Sequence, residues 1–203
     1  MRPPVPQALI VIDVQNDFCP DGALAVPQGD RIVGPINQLM AHFDTIILTQ
    51  DWHPPGHASF AESHPGKAAF AQVEMDYGAQ ILWPTHCVQG SRGAAFHPAL
   101  DTTRANLILR KGCHKGIDSY SAFFENDRRT PTGLEGYLRG RGISALAMVG
   151  LATDFCVQYS ALDAARLGFK VSVRQDLCRA IDLEGSLARA QQAMSSAGVQ
   201  LLP

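Results

Sequence analysis

One cysteine of this sequence has the setting of a catalytic nucleophile. Cys156 closely follows the apolar run at residues 144–151, and Thr153 or Asp154 could cap a helix that holds Cys156 in its first turn. Backbone N–H groups and the positive end of the helix dipole would stabilise a thiolate there, and the same N–H groups could hold an oxyanion. The other cysteines lack this setting and are interpreted as small buried side chains: Cys19, Cys87, Cys113 and Cys178.

A thiol nucleophile needs a base and a charge that favours its ionised form. Asp13 ends an apolar run and could accept the thiol proton, since burial in a crevice would raise its pKa. Lys111 ends another apolar run, and its ammonium group would favour both the carboxylate and the thiolate. Lys115 is the competing lysine, but it lies beyond the predicted strand end and would be held less well. The competing explanation for Lys111 itself is a lysine exposed at the surface.

A metal site is the second group of residues with recognisable chemistry. Asp51 and His53 project to the same side if their segment is extended, and an oxygen and nitrogen ligand set suits zinc, iron or manganese better than calcium. The long segment that follows offers four histidines for a third ligand: His57, His64, His86 and His97. His86 lies among prolines and a tryptophan that would restrain its backbone. The other three are expected not to bind metal.

Short apolar, β-branched runs alternate with amphipathic stretches along the chain. The predicted strands are at residues 8–14, 45–51, 106–111, 144–151, 170–175 and 199–202, and the predicted helices are near 30–43, 133–141, 154–167 and 183–197. This alternation predicts an α/β fold with a doubly wound, mainly parallel six-stranded sheet and helices on both faces. Ligands bind outside the carboxyl ends of such strands. The polar residues named above follow four of these strands, so we expect them to converge on one crevice.

The length predicts one domain over residues 1–203, with an insertion at about residues 52–105. A chain of 203 residues that is 46% hydrophobic can bury one substantial core. The insertion is rich in Pro, Gly and His, with one short helix predicted near residues 67–75. Loops of that length are usually functional when they are ordered. We therefore interpret the insertion as the source of metal ligands.

Composition argues against several classes of partner. The 17 basic and 19 acidic residues leave a net charge of −2, which does not suggest nucleic acid binding. The longest apolar runs are too short to span a bilayer, and residues 1–6 show no signal-peptide pattern. Five widely spaced cysteines, an odd number, favour a reducing compartment. The expected location is the cytoplasm, and a homo-oligomer is compatible with this composition.

Seven short motifs resemble the nicotinamidase branch of the isochorismatase-like cysteine hydrolases. In chain order they are DVQNDF at 13–18, GALAV at 22–26, QDWHP at 50–54, WPTHCV at 83–88, KG at 111–112, DSYSAFF at 118–124 and GLATDFCV at 150–157. Some of these motifs are loose when taken alone. Their order is highly specific, and the match runs over nearly the full length of the chain.

The resemblance implies roles for individual residues. The implied catalytic triad is Asp13, Lys111 and Cys156, and the implied ligands of one divalent metal ion are Asp51, His53 and His86. Zinc is the first choice of metal, with iron or manganese as alternatives. The implied oxyanion hole consists of the N–H groups of Ala152 and Cys156, next to a cis Leu151–Ala152 peptide. Three aromatic residues would surround the substrate ring: Phe18, Trp83 and Tyr120. The fourth metal ligand is left open between Ser59, His57 and water.

The implied reaction is hydrolysis of nicotinamide to nicotinate and ammonia through a thioester on Cys156, a step of NAD salvage. Pyrazinamide would be a side substrate. An isochorismatase-type hydrolase, which cleaves a vinyl ether without metal, and an amidase acting on a carbamoyl compound are the alternatives within the family. A binding or scaffold protein on a degenerate hydrolase fold is the alternative outside enzymes. A metal ion near a bound pyridine ring would favour nicotinamide.

Overall fold

Six parallel strands form the central sheet of the computed structural model, which describes residues 7–203. The strands of the chain are β1 (Gln7–Ile12), β2 (Thr45–Asp51), β3 (Gln72–Met75), β4 (Gly78–Ile81), β5 (Leu107–Lys111), β6 (Ala145–Leu151), β7 (Lys170–Arg179) and β8 (Gln200–Leu202). The central sheet has the order β5-β2-β1-β6-β7-β8, and β3 pairs with β4 in a separate antiparallel hairpin. The predicted α/β class with a doubly wound parallel sheet is confirmed.

Four α-helices connect the strands, and each is shorter than predicted. They are α1 (Val33–Met40), α2 (Leu134–Gly140), α3 (Gln158–Arg166) and α4 (Ser186–Ser196). Turns of other helical types occupy the predicted first turns of three of them. Gly29–Ile32 and Leu183–Gly185 form 3₁₀ turns before α1 and α4, and Thr153–Val157 forms a wide π-type turn before α3.

The prediction of a short helix near residues 67–75 is wrong. Residues Gln72–Met75 form β3, which pairs in antiparallel register with β4 across a turn at Asp76 and Tyr77. The sequence of β3 alternates polar and apolar side chains, and its exposure alternates in the same way. This period of two is typical of a strand with one covered face, but a strand of four residues is too short for the pattern alone to distinguish it from a helix.

A deeply buried strand, β1, lies in the middle of the sheet. All residues from Ala8 to Ile12 are at most 1% exposed, because β1 is paired on both edges and covered on both faces. The apolar run ends at Asp13, which is also fully buried. A charged group at this position must therefore find its partners inside the protein.

Gly150 allows β6 to approach β1 closely just before the site. It pairs with Ile12, has a φ of 121°, and a Cβ atom there would lie 2.7 Å from the backbone nitrogen of Ile12. The next peptide, Leu151–Ala152, is cis. Only glycine meets both conditions at position 150 without displacing β1.

None of the helices within residues 7–203 is long and apolar enough to cross a membrane. The interpretation of residues 1–6 as a segment without a signal peptide lies outside the described residues.

We expect the Gly150→Ala variant to be less stable than the wild type by about 1–3 kcal/mol, because the methyl group overpacks against the β1 backbone and the φ angle is unfavourable. Gly136→Ala is the matched control. Gly136 lies inside α2 in open space, so alanine should stabilise the protein by about 0.5–1 kcal/mol. Urea unfolding of both variants tests this. Equal unfolding midpoints would contradict the proposed close approach.

Candidate active site

Four polar residues follow four adjacent strands at the carboxyl edge of the sheet. Asp13 follows β1, Asp51 ends β2, Lys111 ends β5, and Cys156 lies in the turn after β6. Asp51 and Lys111 are register partners in the sheet. All four side chains are buried, and Cys156, the most exposed of them, retains 6% exposure. The sequence prediction that these residues converge agrees with their positions.

The Lys111 ammonium lies at the centre of this group. Its Nζ is 2.8 Å from Oδ2 of Asp13 and 2.5 Å from Oδ1 of Asp51. It donates to the Ser119 carbonyl at 2.8 Å and lies 3.5 Å from Sγ of Cys156. Sγ and one carboxylate oxygen from each aspartate lie within 4.8 Å of one another. One cation therefore faces two carboxylates and a thiol in a nearly dry pocket.

Burial controls the protonation of these groups. It raises the pKa of Cys156 well above its ordinary value, with Lys111 opposing and Asp13 adding to the effect. Burial also raises the pKa of Asp13, again against Lys111. Burial lowers the pKa of Lys111, but the two aspartates outweigh it and hold that pKa well above its usual value. Burial of the sulfur therefore favours the protonated thiol, which opposes the stabilisation of a thiolate that the sequence predicts for this turn.

The turn that carries Cys156 is stabilised by hydrogen bonds to a later segment of the chain rather than by a side-chain helix cap. The N–H groups of Phe155 and Val157 both donate to the Ala152 carbonyl at 3.1 Å. Asp154 does not cap the helix, contrary to the prediction, and Thr153 does not either. The Asp154 carboxylate instead accepts hydrogen bonds from the N–H groups of Ile181 and Asp182, which precede α4, and from the hydroxyl of Ser186, the first residue of α4. These bonds attach the turn to the next helix.

Asp51, His53 and His86 place one ligand atom each within 4.8 Å of one another. The Nε2 atoms of His53 and His86 lie 3.7 and 3.9 Å from Oδ2 of Asp51. Each Nδ1 faces a backbone carbonyl, that of Gly112 at 3.0 Å and that of Pro84 at 2.8 Å. A carbonyl only accepts hydrogen bonds, so each Nδ1 carries hydrogen. Both Nε2 lone pairs are then directed toward the Asp51 carboxylate.

This arrangement fits a divalent metal ion. Nε2 of His53 is buried and has no hydrogen-bond partner among the described residues, which is costly unless something else is bound there. Backbone carbonyls that orient both imidazoles are the outer partners common at zinc sites. Asp51, His53 and His86 are therefore a candidate metal centre with mixed oxygen and nitrogen ligands.

The charge state of these residues also suits a cation. Burial would raise the pKa of Asp51, but Lys111 and His53 outweigh it and hold that pKa below its usual range. Burial lowers the pKa of His86 to about 4, with His53 adding to the effect. For His53 burial lowers the pKa, but Asp51 more than offsets this. A proton and a metal ion would therefore compete for His53.

His57 is engaged with protein groups on both sides of its ring. Its Nε2 faces the carbonyls of His114 and Ile117 at 2.9 and 3.2 Å, so Nδ1 is left to accept from the Ser59 hydroxyl at 2.8 Å. Both nitrogens of His57 are thus used. The Ser59 hydroxyl oxygen accepts no hydrogen bond among the described residues, which favours Ser59 or water over His57 as a fourth metal ligand, although a ring nitrogen of His57 also lies within 4.8 Å of one of His53.

The aromatic residues predicted around a substrate ring fall into two groups. Trp83 donates from Nε1 to the Tyr120 hydroxyl at 3.0 Å. Phe155, which was not predicted, packs edge-on against both, with ring centroids at 4.9 and 5.7 Å. Phe18 lies apart from them, 5.5 Å from the ring of His86. Trp83 and Tyr120 therefore form one aromatic cluster with Phe155, the residue before Cys156, and Phe18 packs against a candidate metal ligand.

Two supporting residues were missed by the sequence analysis. The Thr49 hydroxyl donates to Oδ1 of Asp13 at 2.6 Å. The Gln15 side chain donates to the Asp51 carbonyl and accepts from its N–H, both at 2.8 Å. Thr49 precedes Asp51 by two residues on β2, so the strand period of two could have identified it as facing the same side.

The chain is similar to known proteins over nearly its whole length. The isochorismatase domain family model matches residues 7–202. A curated nicotinamidase from Acinetobacter baylyi is 56% identical over 95% of this chain and 90% of the relative. The solved structure of an Acinetobacter baumanii nicotinamidase/pyrazinamidase is 54% identical with a TM-score of 0.97, covering 100% and 97% of the two chains. The pyrazinamidase of Pyrococcus horikoshii, solved in complex with zinc, is 35% identical with a TM-score of 0.78, covering 97% and 98%.

We expect His86→Ala to lose most of its bound metal, because the variant keeps only two of the three converging ligands. His97→Ala is the control, since His97 lies in the same long segment and its Nδ1 accepts from the Ala99 N–H instead. Metal content is measured by mass spectrometry after zinc loading and dialysis. A His86→Ala variant that retains the wild-type metal content would refute this ligand set.

Proposed function

This chain belongs to the isochorismatase domain family, and within it we propose a nicotinamidase that hydrolyses nicotinamide to nicotinate and ammonia. The observation that carries the proposal is the meeting of Cys156, Asp13 and Lys111 in a buried group at the carboxyl edge of the sheet. The high identity to curated nicotinamidases supports the choice of a linear carboxamide as substrate.

Asp13 acts as the base in the first step. It takes the proton of Cys156 as the sulfur attacks the amide carbon, so no free thiolate has to persist in the dry pocket. The raised pKa of Asp13 makes its carboxylate a stronger base than an exposed aspartate. Lys111 keeps its charge throughout and offsets the negative charge that moves between sulfur and carboxylate.

The N–H groups of Ala152 and Cys156 are assigned to the oxyanion that forms when the sulfur adds. Loss of one such donor typically lowers the rate by about 10²–10³. Asp13 then returns its proton to the amide nitrogen as the C–N bond breaks, which releases ammonia and leaves a thioester. A water molecule that gives its proton to Asp13 attacks the thioester, and nicotinate and the free thiol are formed.

Asp51, His53 and His86 are assigned to a divalent metal ion, with Ser59 or water as a fourth ligand. When bound, the ion supplies a Lewis acid that can take the ring nitrogen of the substrate. Zinc is the proposed metal because a pyrazinamidase relative was solved with zinc, and iron and manganese suit the same ligands. Nε2 of His53, which has no hydrogen-bond partner within residues 7–203, supports a metal site, which an isochorismatase-type hydrolase does not need.

Phe18, Trp83 and Tyr120 are assigned to the substrate ring. A flat aromatic ring can stack or pack edge-on against aromatic side chains such as these. Pyrazinamide has a ring of the same shape and is proposed as a side substrate.

The rest of the molecule is proposed to serve this one site. We assign a single domain over residues 1–203, with the insertion at about residues 52–105 supplying His53 and His86. The proposed location is the cytoplasm. The proposed partner is the small-molecule substrate, without nucleic acid or membrane, in a chain that can form a homo-oligomer.

Replacement of the nucleophile should abolish turnover. We expect Cys156→Ala to release ammonia from nicotinamide no faster than the uncatalysed control, while its circular dichroism matches the wild type. Cys113→Ala is the matched control, because Cys113 is an exposed free cysteine, and it should keep wild-type activity. Ammonia release by Cys156→Ala at the wild-type rate would end the assignment.

Activity should decrease as the pH is lowered through the raised pKa of Asp13. The base must be ionised to accept the thiol proton, so kcat/KM is expected to decline as pH drops, at a pH above the ordinary aspartate value of 3.8. Rates from about pH 4 to pH 8 would show this limb, with circular dichroism at each pH as a check on folding. A profile that stays flat down to about pH 4 would contradict a buried Asp13 base.

A further inference from the structure

Thr49 is a fully buried hydroxyl that contacts Asp13 twice. Its Oγ1 lies 2.6 Å from Oδ1 of the carboxylate and 3.2 Å from the backbone nitrogen of the same residue. The two residues belong to neighbouring strands of the sheet, since Thr49 lies on β2 and Asp13 follows β1. None of the reaction steps proposed above involves Thr49.

The direction of these two hydrogen bonds follows from the atoms involved. A backbone N–H can only donate, so Oγ1 accepts from the nitrogen of Asp13. The single hydrogen of the hydroxyl has no other acceptor among the described residues, so it is donated to Oδ1. If Oδ1 were protonated instead, it would donate to the second lone pair of Oγ1, and the buried hydroxyl hydrogen would be left without an acceptor among those residues. The hydroxyl therefore favours the state in which Oδ1 carries no proton.

The other carboxylate oxygen has a different environment. Oδ2 of Asp13 is buried and lies 2.8 Å from Nζ of Lys111, but it accepts no well-aligned hydrogen bond among the described residues. Its lone pairs are therefore available, whereas the Thr49 hydroxyl already occupies one of those on Oδ1. Asp13 also has a φ of 49°, in the left-handed region, so its orientation depends on local contacts rather than on the strand ladder.

We propose that Thr49 is a positioning residue that makes Oδ2, and not Oδ1, the atom of Asp13 that carries the proton during turnover. This inference rests on the proposed function. As the S–C bond forms and the carbonyl electron pair moves to oxygen, the proton passes from Sγ to Oδ2. As the C–N bond breaks, the proton passes from Oδ2 to the departing nitrogen. Without the hydroxyl, the carboxylate can rotate and divide the proton between its two oxygens.

Two substitutions separate the hydroxyl from the shape of the side chain. Thr49→Val keeps the volume and removes the hydroxyl, and we expect kcat for nicotinamide to fall about 10-fold to 100-fold with KM changed by less than about threefold. Thr49→Ser keeps the hydroxyl and should stay within about threefold of the wild-type kcat. A residue that only supports the fold would not lower kcat while leaving KM nearly unchanged. Serine would also not restore kcat at such a residue.

A second measurement does not depend on the substrate. Alkylation of Cys156 by iodoacetamide also requires removal of the thiol proton, so Thr49→Val should be alkylated about tenfold more slowly than the wild type and Thr49→Ser. Peptide mass mapping distinguishes Cys156 from the other cysteines. If the wild type failed to hydrolyse nicotinamide, the proposed function would be refuted. The alkylation rates would still test the proposed positioning role of Thr49.

Three results would overturn the inference. The first is a Thr49→Val variant with wild-type kcat and alkylation rate. The second is a Thr49→Ser variant as slow as Thr49→Val. The third is loss of the bound metal from Thr49→Val alone, because the defect would then arise at Asp51, two residues along β2, rather than at Asp13.

Discussion

The site depends on one buried ammonium group that serves two carboxylates. Lys111 lies between Asp13 and Asp51, at 2.8 and 2.5 Å, where almost no water can replace a lost partner. Loss of one member of such a buried pair typically costs about 3–5 kcal/mol because the other charge is left uncompensated. The parallel sheet meets this requirement by ending β5, β2 and β1 side by side, with each strand delivering one charge to the same edge.

The same lysine connects the two halves of the site. Asp51 uses Oδ1 for Lys111 and directs Oδ2 toward His53 and His86, while Asp13 meets Lys111 through Oδ2. The nucleophile and the candidate metal centre are thus two ends of one charge network rather than separate sites. In this network burial favours the thiol form of Cys156, and the proposed mechanism activates the sulfur by passing its proton to Asp13.

The parts that could be predicted from the sequence are those that local patterns determine. Continuous apolar runs marked the strands of the central sheet, and the charged residues that interrupt them, such as Asp13, marked the strand ends. Asp154 was wrongly expected to cap a helix, because its partners come from 27 to 32 residues later in the chain. Thr49 and Phe155 were missed because a threonine in a strand and a phenylalanine in a turn acquire a role only through what the fold places against them.

Trapping the covalent intermediate tests the central claim most directly. The wild-type protein is mixed with nicotinamide, quenched in acid within milliseconds, digested and mapped by mass spectrometry. The account predicts a nicotinoyl group on the peptide that contains Cys156, appearing before free nicotinate reaches a steady rate. Steady turnover with no adduct on that peptide, or with an adduct on another residue, would contradict it.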